Sequence, residues 1–170
     1  MGHPQRLSAR ALALVVALGC SACAYLPAAL ERPFRKPGVH LVDFPEQVAA
    51  EFNCASQKLP WFKLETLEVW PKRLEAGKEL GHRLTYALCT EGPTDVVTGR
   101  LETRIVFRGQ PILRESDPSY DLRPGRWIID VFVTVPPTAA DGLYALEVDF
   151  KSPTVKFNRS ETFAVEAPEK

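Results

Sequence analysis

The sequence predicts an all-β protein, an antiparallel sandwich of seven or eight strands with a short N-terminal helix. Beyond Pro60, apolar residues alternate with polar ones at period two, as half-buried strands require. Pro and Gly turns punctuate these runs at regular spacing. Fifteen prolines spread over 170 residues exclude a helical bundle.

A short helix is expected to open the domain. Asp43 is placed to cap it, Pro45 suits its first turn, and Glu46 follows Asp43 by three as in a capping box. Val48 and Phe52 then share one face at i, i+4. In the first strand Leu67 and Val69 alternate with Glu68 and Trp70, and Pro71 ends the run. The second puts Leu80, His82, Leu84, Tyr86 and Leu88 on one face and Arg83, Thr85 and Ala87 on the other. After a turn at Glu91-Gly92-Pro93, a long strand alternates Val97, Gly99, Leu101, Thr103, Ile105 and Phe107 with a largely charged face.

Gly109-Gln110-Pro111 turns the chain into a short strand at Ile112 and Leu113, and 117–125 is expected to be a surface loop. The strongest strand carries Trp127, Ile129, Val131, Val133 and Val135, closed by Pro136-Pro137. A strand over 143–150, a hairpin and a last strand over 162–165 complete the domain.

Pro137-Thr-Ala-Ala-Asp141-Gly142-Leu143-Tyr144 resembles the entry into the penultimate strand of immunoglobulin-like domains, and Phe163-Ala164-Val165 is similar to their final strand. The resemblance covers roughly residues 64–166. It implies an immunoglobulin-like sandwich in which Tyr144 anchors the corner by a hydroxyl-to-backbone hydrogen bond. The inter-sheet Cys…Trp…Cys spacing of antibody domains is absent, so an antibody-type domain is not implied.

The beginning of the chain reads as an address. Arg6 and Arg10 precede the apolar run 11–18, and small residues follow around Cys20 and Cys23. These are the three parts of a secretory signal peptide, and the apolar run is short of the roughly 20 residues a spanning helix needs. Gly19-Cys20 and Ala22-Cys23 resemble the lipobox of bacterial lipoproteins, although neither has Leu three places before the cysteine. The resemblance implies a signal peptide over 1–19, lipid on Cys20 with Cys23 as the alternative, and a palmitate-type membrane anchor in the cell envelope. Ser21 or Ala24 after the acylated residue, rather than Asp, favours the outer membrane, with the domain facing the periplasm.

Loss of 1–19 removes two arginines and no acid, leaving 19 basic side chains against 21 acidic, a net of −2. Residues 20–38 read as a tether, since Pro27, Pro33 and Pro37 favour an extended spacer. Its Arg32, Arg35 and Lys36 suit an anionic membrane surface or serve only as a soluble tether. The sandwich domain is assigned to 39–170.

Cys54 and Cys89 remain as a pair. Outside the cytoplasm a disulfide is the expected state, tying the helix to the end of the second strand; a buried thiol is the alternative.

A formal net charge of zero over the whole chain removes nucleic acid as a default partner. Glycine loops for phosphate, a Gly-x-Ser-x-Gly elbow and His-Glu-x-x-His are all missing, and three histidines offer little for a metal site. No enzyme, metal or cofactor is therefore expected. His40 with Asp43 is a chance spacing, His82 an inward-facing core or rim residue, and Glu65 and Glu68 are expected on opposite strand faces as solvated charge. Trp61, Phe62 and Trp70 are the candidate binding surface, with plugging the end of the core as the competing role. The 117–125 loop region with Tyr120, Arg123 and Arg126 is a second candidate. The expected function is a non-catalytic binding or accessory module for another envelope component. The alternative is a carrier of an apolar small molecule between the two sheets.

Overall fold

The computed structural model describes residues 37–166. Its elements run β1 (Gly38–Asp43), α1 (Pro45–Glu51), a 3-10 turn (Cys54–Ser56), β2 (Trp61–Trp70), β3 (Arg73–Glu75), β4 (Glu79–Cys89), β5 (Val97–Phe107), β6 (Gln110–Leu122), β7 (Gly125–Thr134), β8 (Gly142–Lys151) and β9 (Lys156–Glu166). One sheet has the order β1-β7-β4-β2, the other β3-β9-β8-β5-β6. The fold is all-β, two sheets with one short helix.

Alternation sets the inner faces. Leu80, Leu84, Tyr86 and Leu88 of β4 meet Ile105 of β5, Leu146 and Phe150 of β8 and Phe163 of β9 in one core. Tyr86, Phe150 and Phe163 are the largest side chains fully buried there. Each such residue contributes roughly 1.5–3 kcal/mol by leaving water.

A smaller core lies on the outer face of the first sheet. Ala87 and Cys89 of β4 point away from the main core and pack with Val48 of α1 and Cys54. Phe52, Leu59 and Trp61 close its rim. The Cys54–Cys89 disulfide, with Cα atoms 6.3 Å apart, pins this layer down.

Several expectations need correction. A strand, not the helix, comes first among the described residues, because β1 pairs with β7 along the sheet edge. Asp43 ends β1 and does not cap α1; the N-cap is Phe44, whose N–H donates to Gln47 Oε1 at 2.8 Å. Three-residue β3 pairs parallel with β9, so the sheets are not wholly antiparallel. With β1 and β3 added, the described residues hold nine strands. The 117–125 loop is mostly strand: β6 runs on to Leu122, and a register shift opposite Gly99/Leu101 absorbs Pro118. An edge strand tolerates that proline because no neighbour needs its N–H. Likewise β9 begins at Lys156, after a tight turn in which Ser152 Oγ accepts the Val155 N–H at 2.8 Å.

The corner before β8 is fixed by Tyr144, whose hydroxyl donates to Ala140 O at 2.7 Å. Gly125 opens β7 at φ +104°, where a Cβ would come within 2.7 Å of Asp43 O. Only glycine lets β1 and β7 approach so closely there.

Candidate functional site

The lipidation candidates Cys20 and Cys23 lie outside the described residues. Cys54 and Cys89 are joined. Trp61, Phe62 and Trp70 are not brought onto one surface. Trp61 turns outward against Phe52, centroids 4.6 Å apart, in the small core. Its neighbour Phe62 turns inward between Tyr86 at 5.8 Å and Phe157 at 5.2 Å. Trp70, at the far end of β2, lies buried over Gly81 with its edge to Phe132 at 5.9 Å. Packing accounts for all three positions.

The histidines divide as burial dictates. His40 is exposed on β1. His82 is 3% exposed, and its Nδ1 has no hydrogen-bond partner among the described residues. Burial lowers its pKa to about 4, against the pull of nearby Asp130. Asp130 itself takes both prongs of Arg83, at 2.8 Å each.

Glu65 does not oppose Glu68, contrary to the alternation argument. A bulge between Leu64 and Thr66 adds one residue, so Glu65 joins the outer face, on which Glu68 stands opposite Arg83. There Glu65 meets Arg126 of β7, at 2.9 and 3.0 Å. The same guanidinium reaches both oxygens of Glu51 on α1 at 2.9 Å, and Asp43 on β1. One cation thus gathers carboxylates from three other elements, which raises its pKa further, Glu65 first, then Glu51. Phe52 sits beside it, with Lys63 Nζ 4.8 Å and the Arg126 guanidinium carbon 5.7 Å from the ring centroid. With every carboxylate turned to the guanidinium, the arrangement is a structural clamp. No group of three or more His, Cys, Asp or Glu residues suited to a metal occurs among the described residues.

The sequence placed Arg126 with Tyr120 and Arg123; the structure separates it from them. Arg126 faces outward, whereas Trp127, next along β7, turns to the inner side and packs against the main core. Arg123 lies over the Trp127 ring at 5.6 Å, and Trp127 Nε1 donates to Pro124 O at 2.9 Å. The Arg123 N–H donates to the Tyr86 hydroxyl at 3.0 Å, and Tyr120 packs against the core nearby. Burial raises the Tyr120 pKa while Arg123 pulls it down.

Leu41 of β1 is the register partner of Trp127. Val39 and Leu41 continue the apolar surface along β1, exposed by 44 and 37%; Val42 and Phe44, next in the chain, are exposed by 48 and 61%. Sequence reasoning missed this edge because a six-residue strand behind a proline-rich segment gives too little alternation to read. Elsewhere, a shallow depression of about 310 Å³ lies between Leu59, Pro60, Thr90, Asp95, Val96 and Thr154. Its lining includes Val97 of the main core, while side chains fill the space between the sheets.

No family model matches the chain, and no curated protein matches it. Some solved structures match part of the chain at low identity. The Pseudomonas fluorescens alkylpurine DNA glycosylase AlkC, bound to DNA containing an abasic site analog, is 15% identical with a TM-score of 0.44, over 62% of this chain and 30% of that one. A Paenibacillus sp. cycloisomaltooligosaccharide glucanotransferase is 16% identical with a TM-score of 0.45, over 64% and 14%. The Bacillus subtilis sporulation control protein Spo0M is 11% identical with a TM-score of 0.41, over 63% and 50%. The matched region spans half or less of each. Likeness at this level assigns neither a family nor an activity.

Proposed function

We propose that the protein is an envelope lipoprotein whose domain is a non-catalytic, immunoglobulin-like binding module, anchored through Cys20 and facing the periplasm from the outer membrane. The strand order supports the immunoglobulin-like reading. β4 and β7 are neighbours in one sheet, β5, β8 and β9 lie together in the other, and Tyr144 makes the corner hydrogen bond. The disulfide supports an oxidising compartment. The tether of this reading is 20–38, whose last residue, Gly38, is the first of β1.

The observation that carries the binding role is the corner of Tyr120, Arg123 and Trp127. Two aromatic rings and an arginine, seated by contacts to Tyr86 and Pro124, match the residue types that dominate protein interfaces. The partner in this reading is another envelope protein. A photoreactive amino acid at position 123 tests it in the intact cell envelope. A discrete adduct with one other protein, absent when the probe sits at exposed Leu143, is the expected result. Identical patterns from both positions would overturn it.

A further inference from the structure

Among the described residues four strands lie at sheet edges: β1 and β2 in one sheet, β3 and β6 in the other. An open edge offers unpaired N–H and C=O groups to any extended chain, and proteins normally obstruct it. Three of these edges are obstructed. β2 carries Lys63, Glu65 and Glu68 and a bulge. β3 is three residues long with charge at both ends. β6 contains Pro111 and Pro118, and aligns charged Glu115 and Asp117 with the inward-facing positions of Thr103 and Leu101.

β1 has none of these devices along Gly-Val-His-Leu-Val; its register shift and its one acid come at the end, by Asp43. Val39 and Leu41 point to the sandwich side, as register partners of core Ile129 and of Trp127, and both stay exposed.

We infer that β1 pairs antiparallel with β1 of a second copy of this chain, joining two four-stranded sheets into one of eight. Two features select this occupant and this direction. An antiparallel pair centred on His40 sets Val39 of each copy opposite Leu41 of the other, so each exposed apolar side chain meets an apolar one on the same face. Charge also runs the right way. Asp43, Glu46 and Glu51 end or follow the strand. At that acidic end Asp43, Glu51 and Glu65 outnumber Arg126, even with Lys63 counted. Antiparallel pairing keeps the two acidic ends apart, at opposite ends of the joined edge, whereas parallel pairing sets them side by side.

This inference goes beyond the binding role proposed above. A dimer stands whether or not position 123 finds another protein, and a partner at 123 stands with a monomer. Light scattering on the full chain in detergent, with the detergent mass subtracted, gives the test. The wild type should have the mass of two chains. Val39→Lys and Leu41→Lys should each give one chain that keeps its β-rich circular dichroism, and Leu143→Lys should remain a dimer. A monomeric wild type, or a dimer that Val39→Lys leaves intact, would overturn the proposal.

Discussion

Arg126 on β7 and Glu65 on β2 join across the intervening β4 strand by a two-pronged ion pair at 2.9 and 3.0 Å. The same guanidinium holds Glu51 of α1 and Asp43 of β1, so one side chain fastens the helix and the edge strand to the sheet. Removing it leaves three carboxylates close together with their cation gone. Arg126→Leu should cost about 2–3 kcal/mol, below the figure for a fully buried pair because Glu51 is half exposed. Glu51→Gln should cost less than about 1 kcal/mol. Urea melts of both variants check the ordering, and equal losses would contradict it.

The disulfide fixes the same layer from its other side. Closing a loop of 35 residues between Cys54 and Cys89 is worth about 4 kcal/mol by chain entropy, and measured values fall near 2–4. The main core does not include it, so the reduced domain should remain β-rich at room temperature. Reduction should lower the melting midpoint by roughly 10 °C. Circular dichroism melts with and without reductant measure this, and loss of strand signal at room temperature would contradict it.

His82 makes stability depend on pH. Its pKa is about 4 when folded, against 6.5 for the free side chain, so between these values the unfolded chain binds more protons. Stability contributed by the neutral imidazole is complete above pH 6.5 and is lost as pH falls to about 4, by about 3 kcal/mol. Asp130, the charged group that pulls against this shift, is held by Arg83. The difference between wild type and His82→Leu, followed by urea melts across this window, isolates the effect. The variant should show the shallower decline, and parallel curves would contradict the assignment.

Gly81 is the floor on which Trp70 lies. A Cβ there would come within 2.4 Å of the indole, whose ring is buried. Gly81→Ala should therefore cost about 1–3 kcal/mol by overpacking. Combining it with Trp70→Leu should cost less than the two single losses added together. Additive losses in melts of the double mutant would contradict the contact.

Where alternation is long, the sequence was legible. β4 carries five inward residues at period two and β7 four, with Val135 just beyond it, and the structure buries or half-buries all ten. Cys54 with Cys89 was legible for a different reason: two cysteines remained once Cys20 and Cys23 were set aside, and an exported domain is expected to pair them. Glu65 was misread because a bulge inserts a residue without any glycine to announce it. Asp43 was misread because a cap and a strand end look alike when the deciding partner, Arg126, is 83 residues away. The Tyr120–Arg123–Trp127 corner was half seen. Its residues are near in sequence, but whether neighbouring side chains share a face depends on where β7 begins.

Fatty-acid labelling in cells tests the envelope-lipoprotein reading most directly. The wild type should incorporate a labelled fatty-acid analogue, Cys20→Ser should abolish the label, and Cys23→Ser should retain it. Label lost only in Cys23→Ser would move the anchor to that residue. A wild-type protein that takes up no label would contradict the account.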